Sequence, residues 1–166
     1  MAKRGTAAAA LAAAAPAREP ARGEEVILGP LAALIGFNLR LAQDASFRAF
    51  ARHAGQKGLK PGRFAAMMVI HHNPGITQAA LGRAIARDKS TVTPLIQELL
   101  RRDLVDRQPS RADRRSVRLT LTKAGEAMLA DLLQHAEEHD HKLDALVGGS
   151  KREFLHLLKK VADGLS

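Results

Sequence analysis

Between Thr77 and Thr122 the apolar positions fall into two helical stripes and then two strand-like runs. Leu81, Ala84 and Ile85 recur at helical spacing after Thr77, whose hydroxyl can cap a helix start. Ala79, Ala80 and Gly82 are small enough for a second helix to approach closely. Asp88 is a second capping residue, and Val92, Ile96, Leu99 and Leu100 form the buried stripe behind it. Leu104–Arg107 and Ser116–Leu121 then read as strands, joined by the turn Pro109–Asp113. Helix, turn, helix and charged hairpin together are the pattern of a winged helix-turn-helix unit.

The flanks are helical. Glu25 to about Ala54 reads as one long helix, apolar on more than one side, with Val26, Ile27, Leu31, Leu34, Ile35, Leu39, Leu41, Phe47 and Phe50. Such a helix needs more than one neighbour, and a partner chain can be the second. Gly55 and Gly58 close it; Pro61-Gly62 opens the next helix, Arg63–His72, and Ile76 is placed to make a one-residue bridge to the hairpin. After the hairpin, Thr122 caps a helix to about Val147, which Gly148 and Gly149 end. Ser150 and Glu153 have the spacing of a capping box for a last helix carrying Phe154, Leu155, Leu157, Leu158, Val161 and Leu165. These stripes exceed what so small a winged unit can bury, so they are expected to interlock with a second copy. The expected organisation is an Ala-rich tail over 1–23, an N-terminal dimerisation helix over 24–58, the winged unit over 60–122 and C-terminal dimerisation helices over 123–166. The fold class is mainly α with a small β-wing.

The polar positions left outside the stripes are the candidate chemistry. On the second helix of the pair they are Lys89, Ser90, Thr91, Thr93, Pro94 and Gln97, side chains of the kind that reach base edges and phosphates in a major groove. Pro94 removes a helical donor, which is tolerable near a helix start, so an irregular first turn is expected. Thr77, Gln78 and Arg83 are candidates for phosphate. Arg111, Arg114 and Arg115 at the hairpin tip suit a narrow minor groove, with Asp113 holding one of them in place. A solvated charged turn is the plainer reading of an arginine run. The helix pair just before it favours contact with double-stranded DNA.

The run Asp113-Arg114-Arg115, then Leu121-Thr122-Lys123-Ala124-Gly125, resembles the wing-to-helix signature DRR-x5-LT-x2-G of the MarR family, the multiple antibiotic resistance regulators. Asp88-Lys89-Ser90-Thr91-Val92-Thr93 resembles the start of that family's recognition helix. The likeness extends from about Val26 to the C-terminus. Pro94 departs from it, because many members carry a basic residue there. The resemblance implies a homodimer whose two recognition helices enter successive major grooves of a pseudo-palindromic operator. It also implies a small-molecule effector in a cleft between dimer helices and winged unit. Gly36–Ala42 and the Pro94-bearing helix look similar to members that control aromatic-acid catabolism, some answering to CoA thioesters. The effector candidates are Phe37, Arg40, Phe64, Met67, Met68 and His71. Arg40 has two readings: it meets a ligand carboxylate or phosphate, or it pairs with Asp44 four residues on. The plainer reading of the Phe and Met residues is that they are core.

Composition narrows the classes. The formal charge of +9 points to a polyanion, and the bases concentrate between Arg83 and Arg118, whereas the segment from Lys123 onward is acidic on balance. Without Trp or Tyr, the core must be Leu, Ile, Val and Ala. Without cysteine there is no disulfide framework, zinc finger or thiol sensor. His135 and His139 share a helix face near Glu138, but His141 points elsewhere; surface histidines are the simpler reading, and neither metal nor cofactor is expected. The basic start, alanine run and Ala15-Pro16-Ala17 mimic a secretory leader, yet the apolar run is weak. Nothing has the length and apolarity of a membrane span, so a cytoplasmic location is expected. No phosphate loop, nucleophile elbow or HExxH frames a catalytic site, so an enzyme is not expected. An architectural DNA-binding protein without effector, or an activator rather than a repressor, remain rival readings.

Overall fold

The computed structural model describes residues 26–54, 61–109 and 117–165. The chain divides into two units, 1–46 and 47–166.

In the first unit, Val26, Ile27 and Leu28 are not part of the expected long helix. Gly29–Ala33 forms a 3-10 turn, Leu34 is extended, and helix α1 runs Ile35–Ala54, ending within the second unit. Gly29 at φ +54° and Pro30 are the reason, since proline supplies no donor and disfavours helical angles before it. The Asn38 side chain donates to Ala32 O at 3.0 Å and to Leu34 O at 2.9 Å, and Leu34 O also accepts from Asn38 N at 3.1 Å, so Asn38 ties the 3-10 turn to the helix start. Val26, Ile27, Leu31, Leu34 and Ile35 are all exposed.

In the second unit, helix α2 (Pro61–His72) starts two residues earlier than expected, with proline at its first position, where a missing N–H costs nothing. Strand β1 is Ile76–Thr77, helix α3 is Gln78–Ala84 and helix α4 is Lys89–Arg101. Strands β2 (Val105–Pro109) and β3 (Val117–Leu121) follow, then helix α5 (Lys123–Val147), a 3-10 turn Gly148–Ser150, and helix α6 (Lys151–Gly164). The sheet is antiparallel in the order β1-β3-β2, with Ile76 opposite Leu119 and Val105 opposite Leu121. The bridge at Ile76 is therefore a two-residue strand. Pro109 is tolerated because β2 is an edge strand. The strand begins at Val105 because Leu104 is held in the preceding turn, its N–H donating to Leu99 O at 2.9 Å and its carbonyl accepting from Thr122 N at 3.2 Å.

Among the described residues, thirteen buried apolar ones make one core, including Met67, Ile70, Leu81, Ile96, Leu99, Leu119 and Leu132, each at 0% exposure. It joins α2, α3, α4, β3 and α5, so the helix pair and the sheet share one support. Gly82 lets α3 and α4 meet: a Cβ there would lie 3.0 Å from Arg87 O and 3.3 Å from Val92 Cγ2.

The expected capping box at Ser150 does not form. Ser150 follows a 3-10 turn, at φ −89° and ψ 5°, and its side chain makes no capping bond. Instead Lys151 Nζ donates to Asp140 at 2.8 Å and Asp144 at 2.6 Å, tying α6 to α5. These bonds hold the Asp140 carboxyl below its ordinary range and the Lys151 ammonium above its own. Helix α6 buries no residue, and Leu146, Phe154, Leu155, Leu157 and Leu165 are exposed. The described chain is thus mainly helical with a three-stranded wing sheet, as expected.

Candidate nucleic-acid interface

Three side-chain caps fix the helix pair and its exit. Thr77 Oγ1 accepts from Ala80 N at 3.2 Å, Asp88 Oδ1 from Thr91 N at 2.8 Å, and Thr122 Oγ1 from Gly125 N at 2.9 Å. All three were legible as capping residues. Asp88 also accepts the Ser90 hydroxyl at 2.6 Å, and these bonds lower its pKa, the Ser90 bond foremost. A depressed carboxylate stabilises the fold above its unfolded pKa, and that contribution is lost as pH falls through the lowered value. Asp88→Ala is therefore expected to fray the first turn of α4, seen as faster amide exchange at Thr91 and Val92. Asp88→Asn, which caps equally well, should preserve protection; equal exchange in all three proteins would refute the role.

Helix α4 presents Lys89, Ser90, Thr91, Pro94 and Gln97 as exposed residues, with Thr93 half-buried. Pro94 sits in the second turn, not in an irregular first one, and the helix runs through it. Its ring removes the donor that would meet Ser90 O, while the Thr93 hydroxyl donates to Lys89 O at 2.8 Å. Gln78 reaches across from α3, its Nε2 donating to Thr93 Oγ1 at 2.7 Å. Two residues singled out for DNA contact thus hold one another, fifteen positions apart.

Beside this face is a basic concavity of about 690 Å³, lined by Thr77, Gln78, Gly82, Arg83, Arg87, Lys89 and Val117 among others. No carboxylate is among its described lining residues. Arg87 was not among the sequence candidates; it enters because the turn after α3 folds back, Arg87 N donating to Gly82 O at 2.9 Å. Arg118 Nη1 donates to Gly75 O at 3.2 Å, bracing the sheet end nearest α3. The tip candidates Arg111, Asp113, Arg114 and Arg115 lie outside the described residues.

The effector candidates fall in both units. In the first, Arg40 Nη1 donates to Asp44 Oδ2 at 2.9 Å, and its guanidinium carbon lies 5.3 Å from the Phe37 ring centre. The pairing reading is the one seen. In the second, Met67 is fully buried in the core, while Phe64 and Met68 pack against the core with part of their surface free. His71 Nδ1 is 2.7 Å from Glu126 Oε2, joining the end of α2 to the start of α5. Among the described residues no group of His, Asp and Glu could hold a metal ion, and His139 packs edge-on against Phe50. No described helix is long and apolar enough to cross a membrane.

A family model described as MarR family matches residues 57–116. A protein assigned as transcriptional regulator of the hcr operon in Thauera aromatica is 34% identical over 139 residues, covering 82% of this chain and 84% of that one. The solved structure of the transcriptional repressor CouR bound to a 23-mer DNA duplex is similar, with a TM-score of 0.76 and 30% identity, covering 84% of this chain and 99% of that one. CouR bound to p-coumaroyl-CoA gives a TM-score of 0.75 and 27% identity, over 83% of this chain and 98% of that one.

Proposed function

This chain belongs to the MarR family and is a transcriptional regulator of that type; from that premise we propose that it acts as a homodimeric repressor, released from a pseudo-palindromic operator by an aromatic acid or its CoA thioester. The observation that carries the DNA reading is the exposed face of α4 beside the acid-free basic concavity. Lys89, Ser90, Thr91 and Gln97 read base edges; Arg83 and Arg87 meet phosphate. Arg111, Arg114 and Arg115 enter the flanking minor grooves. The exposed leucines of α5 and α6 support the dimer, since unpartnered apolar faces of this extent mark association surfaces. The effector class rests on CouR, which is bound to an aromatic CoA thioester.

The test is a gel shift on the DNA upstream of the protein's own gene, at physiological salt with excess competitor, with and without aromatic acids and their CoA thioesters. A specific shift released by one compound is expected. Arg114→Ala with Arg115→Ala is expected to weaken that shift by about a hundredfold and to lower the salt slope by about two per protomer. Uniform weak binding that competitor DNA abolishes would support the architectural reading instead.

A further inference from the structure

Arg63 and Glu98 each sit at the end of a helix that disfavours their charge. Arg63 is the third residue of α2, and that first turn holds no acid. Glu98 lies in the last turn of α4, where the Arg102 N–H donates to its carbonyl at 3.1 Å. A helix N-terminus favours a carboxylate and a C-terminus a cation, so exchanging the two residues would suit both helices better. Their placement serves a meeting instead. Arg63 Nη2 donates to Glu98 Oε2 across 35 positions of sequence. The two side chains are only 17% and 25% exposed, and Arg63 Nε is buried with no hydrogen-bond partner among the described residues. An ion pair taken largely out of water, with one donor left over, is a poor stabiliser, and apolar residues of similar volume serve stability as well. Such a pair is better suited to fixing a register.

Helix α4 needs a register. Its grip on the core is Val92, Ile96 and Leu99, and apolar contact is non-directional, so it sets the depth of the helix more firmly than its roll. Directional bonds define the roll. Gln78 of α3 holds Thr93 toward the first turns of α4, and Arg63 of α2 holds Glu98 in the last. Thr91, Pro94, Leu95 and Glu98 recur at i, i+3, i+4 and i+7, one stripe along the helix. A roll that breaks the Glu98 bond therefore carries Thr91 and Pro94 with it.

We propose that the Arg63–Glu98 pair locks the roll of α4, and so sets how sharply the protein separates its operator from other DNA, without touching DNA itself. The second half rests on the proposed DNA-reading face of α4. Hydrogen bonds to base edges weaken steeply when a donor is turned away, whereas attraction to phosphates follows charge. Breaking the lock thus lowers specific binding and spares non-specific binding.

The test uses full-length variants that all keep the net charge, with circular dichroism checking that each folds. Arg63→Met with Glu98→Leu replaces the pair by apolar side chains. It is expected to melt within about 2 °C of the wild type, while the ratio of operator to competitor affinity falls about tenfold. Arg63→Glu with Glu98→Arg exchanges the charges, keeps the pair and suits both helix ends. It is expected to melt about 2–4 °C higher and to retain the ratio. Arg63→Lys, which keeps one bond and has no Nε, is expected to retain the ratio as well. A wild-type ratio in the apolar variant, or a tenfold loss in Arg63→Lys, would overturn the lock. A fall of more than about 8 °C in the apolar variant would make the pair a stabiliser of the fold and overturn it too. The lock is also read without DNA. The chain has no cysteine, so spin labels at His72→Cys on α2 and Gln97→Cys on α4 report on those two sites alone. With labelled chains diluted in unlabelled ones, the distance distribution is expected to shift or broaden in the apolar variant and not in Arg63→Lys. Identical distributions would overturn the lock. A wild type without operator preference would count against the repressor reading only, and the spin-label result would still decide the lock.

Discussion

Gly125→Ala is expected to lower the melting temperature by roughly 6–12 °C, the counterpart of about 3 kcal/mol in a chain of this size. A Cβ at Gly125 would lie 2.0 Å from Leu104 O and 2.9 Å from Leu104 C. Both are backbone atoms, so no side chain can swing aside. Nor can the turn easily retreat. Thr122 Oγ1 donates to Asp103 O at 2.6 Å, Thr122 N to Leu104 O at 3.2 Å, and Leu104 N to Leu99 O at 2.9 Å. Asp103 is already at φ +55°, a conformation that leaves a non-glycine residue little freedom. Moving this turn displaces the end of α4 and the start of β2 together, so operator affinity should fall with stability. Gly62→Ala is the internal control: nothing lies within 4 Å of its Cβ position in α2, and helix propensity favours alanine. Thermal unfolding by circular dichroism reads both. A Gly125→Ala protein melting with the wild type would show that the contact is not obligatory.

The same contact explains why part of the fold was legible in the sequence. Leu121-Thr122-x2-Gly125 records a local event, in which a side-chain oxygen caps a helix three residues on and a glycine admits the backbone beneath it. Thr77 and Asp88 were legible for the same reason, since a cap and the backbone N–H that donates to it lie within three residues. The capping box at Ser150 has the right residue types but not the extended backbone that lets the side chain turn back. The break before Ile35 was concealed by a helical stripe that masked the force of Gly29-Pro30. For the candidate site, residue types on α4 were legible and their partners were not. The bond from Gln78 to Thr93 spans two helices, and Arg87 joins the basic concavity only through the turn after α3. A cleft of about 640 Å³ within the second unit, lined by residues of α1, α2 and α4, escaped for a related reason. Phe47, Arg63 and Leu95 are distant in sequence and meet only in the fold.

Gln78→Ala and Thr93→Val are each expected to weaken operator binding about tenfold, near 1.4 kcal/mol, and the double variant no further. A threonine hydroxyl has one proton and two lone pairs. The Thr93 proton goes to Lys89 O at 2.8 Å, and one lone pair accepts from Gln78 Nε2 at 2.7 Å. At most one lone pair is left for DNA, so both residues chiefly hold α4 in place against α3. Pro94 makes that hold matter. Where the helix loses the donor to Ser90 O, side-chain bonds steady its second turn. Residues joined by one bond lose it once, whichever partner is removed, so the cycle should show a coupling of about 1.4 kcal/mol, the full effect of either single variant. The salt dependence separates positioning from direct contact. Losing a phosphate contact lowers the slope of log K against log salt by about one, whereas a displaced helix retains its charges and its slope. Additive losses with a reduced slope would mean that Gln78 meets the DNA backbone itself and that its bond to Thr93 is released on binding.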